Sequence, residues 1–230
     1  MYAFILDGNI HSKTNLGLRI TEPPVLPPSE RIIEHIEVDG REGTLTLQKG
    51  WEDIAFSFKA ALRTADVQAA WRMILPQIFN AQTIAFSNDP TVHFRVKEVK
   101  TSGLKPLLPT LWEFEIQLVC APFRYINDVA TLYRTTSGTV ASHGNVYALP
   151  LIRVYGTGTR TLTINGKAIV LDLQSEYLAI DSELKECHYG NVACNHLMTG
   201  DFPVFNIGNN TVTLGTGITK VEIEPRWRYI

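Results

Sequence analysis

The chain has 230 residues, 45% of them apolar and 19% charged, with a formal net charge of −2. That balance suits a soluble chain with its own core, and the lack of a basic excess argues against a nucleic-acid partner, since phosphate binding needs a basic surface. No stretch approaches the ~20 apolar residues of a membrane span, Met1 to Asp7 lack the pattern of a secretory signal, and three cysteines give no disulfide framework and suit folding in a reducing cytoplasm.

The N-terminal half reads as strands around one helix. Thr21-Glu22-Pro23-Pro24-Val25-Leu26-Pro27-Pro28 is a stiff, extended arm. Its Pro24 and Pro27 match a PxxP spacing, but four prolines already account for the extension. Thr44 to Leu47, Val92 to Val96 and Trp112 to Leu118 alternate apolar and polar side chains with period two, as half-buried strands do. Asp7-Gly8 and Asp39-Gly40 mark tight turns. If the second and third strands pair antiparallel, His93, Arg95 and Lys97 face Glu113, Glu115 and Gln117.

A helix is expected near residues 64–79, with Thr64 as its cap and Asp66 in its first turn. Val67, Ala70, Trp71, Ile74 and Ile78 recur at helical spacing and form its buried stripe. Pro76 cannot donate a backbone hydrogen bond, so a kink or an end is expected near Leu75.

Composition shifts between Ile126 and Ala148 to threonine, serine and glycine, which suggests a domain over 1–130, a linker over 131–145 and a second domain over 146–230. The second domain reads as all β. Leu162 to Ile164, Asn165-Gly166 and Ile169 to Leu171 spell a hairpin with a type I′ turn. Thr211 to Leu214, Gly215-Thr216-Gly217 and Val221 to Glu224 read as another. Short strands and frequent turns predict a β-sandwich.

Little here reads as chemistry. Cys187, His188, Cys194 and His196 are the nearest approach to a metal cluster, but the cysteines lie further apart than the two to four residues zinc sites favour. They read as loop cysteines packed on the sandwich, and Cys120 as a small apolar core residue. No nucleophile elbow is present. The pairs Glu113/Glu115, Asp181/Glu183 and Glu222/Glu224 read as solvated faces, not as carboxylates flanking a glycosidase cleft. Gly156-Thr157-Gly158 precedes a strand pattern and lacks the helix N-terminus of a phosphate site. In an alternating strand Trp227 faces inward while Arg226 and Arg228 point out, and Trp227 anchors the second domain; its alternative role is an aromatic platform for sugar.

Several short motifs occur in a telling order: Gly40-Arg41-Glu42-Gly43, Cys120 to Tyr125, Gly156 to Gly158, Ile164 to Gly166, Ile180 to Leu184, Gly200-Asp201-Phe202-Pro203 and Pro225-Arg226-Trp227-Arg228. Their joint order closely resembles that of siphophage distal tail proteins, hub components of phage tail tips. The resemblance implies a mainly β fold with one α-helix: an N-terminal β-rich ring-forming domain and a C-terminal galectin-like β-sandwich. It implies a homohexameric ring that joins the tail tube protein to a tip, fibre or tail-associated lysin protein. No enzyme activity, cofactor, metal, nucleic acid or membrane partner is expected. The protein is expected in the virion tail tip, made and assembled in the bacterial host cytoplasm, with the first domain sufficient for the ring. Some family members carry inserted carbohydrate-binding modules, but the second domain here has room for one sandwich only. Gly40, Arg41, Gly43, Gly200, Asp201, Phe202, Pro203, Arg226, Trp227 and Arg228 are the motif residues the resemblance singles out. The alternative is a carbohydrate-binding β-sandwich protein that recognises host cell-wall glycans.

Overall fold

The computed structural model describes residues 2–230 and is β-rich with one α-helix. The chain divides into two compact units, one ending at Asn127 and one over Asp128–Tyr229.

In the first unit the strands are β1 (Phe4–Leu6), β2 (Ile10–His11), β3 (Leu18–Glu22), β4 (Arg31–Ile36), β5 (Leu45–Trp51) and β6 (Ile54–Arg63). The helix α1 (Val67–Phe79) follows, then β7 (Thr83–Phe86), β8 (Asp89–Thr101), β9 (Lys105–Leu108) and β10 (Leu111–Ile126). An antiparallel sheet runs β2-β1-β7-β8-β10-β6-β3, with β9 also laid on β10. Alternation sets its inner face. Ile54, Phe56, Phe58 and Ala60 of β6 are buried with Phe114, Ile116 and Leu118 of β10, as period two requires.

Ile74 and Ile78 of α1 join that core, and Trp71 sets its ring edge against Phe114 at 4.7 Å. The cap is Asp66 rather than Thr64: its carboxylate accepts from the Ala69 N–H at 3.0 Å, while the Thr64 hydroxyl holds the Asp66 N–H at 3.2 Å. Asp66 stands in reach of the free N–H groups of the first turn, and Thr64 lies two residues too early. Pro76 does not end the helix, which runs on to Phe79; the exposed ring removes one donor only, and the Pro76 carbonyl accepts from Asn80 at 3.0 Å.

β8 and β10 do pair antiparallel, but in another register from the one expected. His93 lies opposite Tyr125 and Lys100 opposite Gln117, because β9 occupies the start of that edge of β10, with Lys105 opposite Glu113. The basic row therefore finds other partners. Lys97 bonds Asp53 at 2.7 Å, and the Arg95 guanidinium lies 3.7 Å from the centre of the Tyr125 ring.

The second unit is a sandwich. Its strands are β11 (Leu132–Arg134), β12 (Gly138–Ala141), β13 (Leu151–Gly156), β14 (Gly158–Ile164), β15 (Lys167–Leu173) and β16 (Tyr177–Asp181). They continue as β17 (Glu186–Tyr189), β18 (Val192–Ala193), β19 (Met198–Thr199), β20 (Asn209–Leu214) and β21 (Ile218–Glu224). One sheet runs β11-β21-β13-β16-β17-β18 and the other β12-β20-β14-β15-β19. Between them lie Ile152, Val154, Leu162, Leu171, Ile180, Val212, Val221 and Ile223, all essentially inaccessible.

Asn165 and Gly166 take φ of 50° and 79° between β14 and β15, the two positive values a type I′ turn needs. Two expectations are corrected here. Residues 131–145 are not a free linker: β11 and β12 lie within them and pair with β21 and β20, one strand for each sheet. Short threonine-rich edge strands look like loop by composition alone. β20 and β21 are likewise no hairpin, since they belong to opposite sheets and Gly215 to Gly217 carry the chain across the sandwich. A side chain at Gly215 would collide with the Thr161 carbonyl, so Gly215→Ala is expected to cost ~1–3 kcal/mol in urea unfolding.

Candidate functional site

The residues singled out by sequence fall in three places, each within one unit. The first is the β4–β5 hairpin. Ile36 pairs with Leu45, His35 with Thr46 and Glu34 with Leu47, and this two-strand ladder joins no other sheet. Alternation puts Ile32, Ile36, Leu45 and Leu47 on one face, and each is 38–46% exposed. Glu34 and Lys49 form an exposed ion pair at 2.7 Å. At the base the Arg31 guanidinium lies 4.6 Å from the centre of the Trp51 ring, and Trp51 sets its edge on Phe123 at 5.7 Å. The hairpin is thus anchored at its root and bare along its length. Gly40, Arg41 and Gly43 lie exposed in its connecting loop, where Gly40 and Gly43 adopt φ of 77° and 74°. Their glycines serve the turn, since no neighbour crowds either Cα.

The second place is the end of the sandwich chain. Arg226 has φ of 54°, a left-handed backbone that ordinary side chains rarely adopt. That twist breaks the strand alternation, so the expected outward arginines turn in instead. Arg226 grips Asp181 with two bonds of 2.8 Å and reaches Glu183 at 3.2 Å. Asp181 also accepts the N–H groups of Glu183 and Leu184 at 3.0 and 3.1 Å. Its side chain is nearly inaccessible, so Asp181/Glu183 is a paired site and not a solvated face. Burial pushes the Asp181 carboxyl up, but the Arg226 bond and the two backbone donors outweigh it and hold it below the usual range.

Trp227 is buried, with Phe205 at 5.6 Å and His143 at 6.1 Å. A ring so covered offers no face to a sugar. Arg228 is buried too; its Nε donates to the Tyr147 carbonyl at 2.8 Å. Gly200, Asp201, Phe202 and Pro203 stand elsewhere in the same unit. Gly200 takes φ of 124° where a side chain would press on the Ala168 carbonyl, and Pro203 is buried. Asp201 is exposed, and Lys185 approaches the Phe202 ring at 5.7 Å.

The other candidates resolve into structure. Glu222 and Glu224 are held by Lys220 at 2.7 Å and Arg153 at 2.6 Å, and Glu113 accepts from Thr21 at 2.9 Å. Cys120 is buried and its thiol is pushed up to about 12. Among the described residues no group of three or more histidine, cysteine and acidic side chains converges on a point. Sequence reasoning found the hairpin loop but not the bare apolar face beside it; the signal was present in Arg31-Ile32-Ile33-Glu34-His35-Ile36, a β-branched run just ahead of the alternating Thr44 to Leu47.

No protein-family model matches the chain, and no curated protein matches it by sequence. Among solved structures it is similar to the crystal structure of the Dit protein (gp 19.1) of phage SPP1, there described as a paradigm of the hub adsorption apparatus in phages infecting Gram-positive hosts. The two share 12% identity over 97% of each chain, with a TM-score of 0.63. Looser matches are chains of the phage p2 baseplate in its activated conformation. The Sr form gives 9% identity over 97% of each chain and a TM-score of 0.45, and the Ca form 10% identity over 100% and 98% with a TM-score of 0.47. The chain therefore has the fold of the SPP1 Dit protein over almost its whole length.

Breaking the Arg226–Asp181 pair should weaken the second unit. Because Arg226 keeps about a fifth of its side chain in water, the cost of Asp181→Asn is expected near ~3 kcal/mol, the low end for a buried pair. Asp181 binds its proton less readily folded than unfolded. Its contribution is then complete above ~pH 4 and fades as pH falls through its lower folded value. Urea melts of both proteins between pH 7 and pH 3 should converge toward the acid end. Trp227→Ala should cost ~3–5 kcal/mol; an unchanged melting temperature would refute its anchoring role.

Proposed function

We propose that this chain is a structural hub component of a long, non-contractile phage tail, and that six copies form a ring at the distal end of the tail tube. The observation that carries the reading is the bare β4–β5 hairpin. A two-stranded ribbon is marginal alone in water, and its open edges and isoleucine–leucine face are features that folded chains cover. A second copy of the chain is the occupant this reading assigns. Copies docking head to tail present a hairpin to one neighbour and receive another, and a closing rotation makes a ring.

The shared fold with a protein described as a hub supports the class. The number six, the tail tube protein on one side and a tip, fibre or lysin protein on the other come from the motif resemblance. On this reading the first unit builds the ring, the protein acts by assembly without catalysis, and it resides in the virion tail tip after assembly in the host cytoplasm. The Pro23 to Pro28 arm, with Val25 exposed and Leu26 resting on the core, offers a pre-stiffened segment that loses little entropy against a neighbour. The burial of Trp227 removes the residue on which the rival sugar-binding reading rested.

Light scattering after size exclusion is expected to give about six chain masses. The double variant Ile36→Asp, Leu47→Asp alters exposed positions, whose fold cost is within ~0.5 kcal/mol each, and should elute as a monomer with unchanged melting. Residues 1–127 should assemble, while residues 128–230, which keep the edge strands β11 and β12, should not. Assembly by the second fragment alone would reverse the assignment.

A further inference from the structure

A pair of thiols faces across the end of the β17–β18 hairpin. In that ladder Tyr189 pairs with Val192 and His188 with Ala193, so the next opposed positions are Cys187 and Cys194. The backbone keeps the register for this extra step, because the Cys194 N–H donates to the Cys187 carbonyl at 2.6 Å. Opposed residues of an antiparallel ladder have Cα atoms ~4.5–5.5 Å apart and side chains on one face. That separation falls inside the ~4.4–6.8 Å range a disulfide spans.

The two cysteines differ in access. Cys187 is fully buried, and Cys194 is half-exposed. The Cys194 thiol donates to the Val192 carbonyl at 3.4 Å, a weak contact that one χ1 rotation gives up. Burial, with Cys194 beside it, pushes the Cys187 thiol up to about 12.

We propose that Cys187 and Cys194 close an intramolecular disulfide when the folded protein meets a small-molecule disulfide such as oxidised glutathione. The thiolate of Cys194, the accessible partner, attacks the glutathione disulfide; a Cys194–glutathione bond forms and one glutathione thiolate leaves. Cys187 then attacks the Cys194 sulfur, gives up its proton to the departing second glutathione, and completes the bridge. Two cysteine thiols are oxidised by two electrons and one glutathione disulfide is reduced to two thiols. Cys120 takes no part, being buried in a strand of the other unit.

The bridge has a structural consequence. β18 ends the six-stranded sheet, and the short 3₁₀ turn Asn195–Leu197 leads directly to β19 in the five-stranded sheet. A Cys187–Cys194 bond pins the point where the chain leaves one sheet for the other.

The test uses the full chain, reduced, freed of reductant and held with oxidised glutathione at neutral pH. Thiols titrated after denaturation should fall from three to one, and the intact mass should drop by two hydrogens. Peptide mapping without reduction should join the Cys187 and Cys194 peptides. In Cys187→Ala, glutathione should stay on Cys194 as a lasting adduct. Cys194→Ser, a change at a half-exposed side chain, should melt as the reduced protein does and keep its Cys187 thiol. Persistence of three thiols, a bridge to Cys120 or to another chain, or loss of the Cys187 thiol in Cys194→Ser would each overturn the proposal.

Discussion

Every β-strand carries hydrogen-bonding groups along both edges, and leaving either edge bare is costly where water is excluded. Most of this chain's architecture follows from how that constraint is met. β10 satisfies it on both sides, with β6 along one edge and β8 with β9 along the other, and the core of the first unit forms on its inner face. In the second unit β21 lies between β11 and β13, and β20 between β12 and β14. The β4–β5 ribbon satisfies it on one side only. The same sequence that closes two cores therefore leaves one ribbon unfinished, and its apolar face is unfinished too.

A second constraint governs the sandwich. A carboxylate near the base of a core must keep its charge paired or lose it. Asp181 meets four donors, two from Arg226 and two from the turn that follows its own strand. The geometry needs Arg226 in a left-handed backbone, between the buried residues Pro225 and Trp227. The terminal motif thus reads as one device: a twist, a clamp and an aromatic plug.

Sequence reading succeeded where the signal was local. Asn165-Gly166 dictates its turn whatever surrounds it, and the spacing of Trp71, Ile74 and Ile78 marks a helix face without reference to the rest. It failed where distant chain decides. His93 lies past the acidic row because β9 takes the start of that β10 edge, a pairing that no alternation reveals. β11 and β12 owe their existence to β21 and β20, about seventy residues or more away in sequence. The adjacency of β20 and β21 along the chain suggested a pairing that the two-sheet topology forbids. The motif residues were found by their order, but the inward turn of Arg226 and Arg228 depends on one positive φ that a regular strand pattern conceals.

The bare ribbon also has a thermal meaning. Its isoleucine and leucine side chains now stand in water, and any assembly that closes over them exchanges hydration for protein contact. Such an exchange lowers the heat capacity as the complex forms. Its driving force near room temperature is the entropy of released water, which fades on cooling. Contacts made through this ribbon would then be at their firmest in the warm and would slacken toward the freezing point, before either folded unit feels the cold.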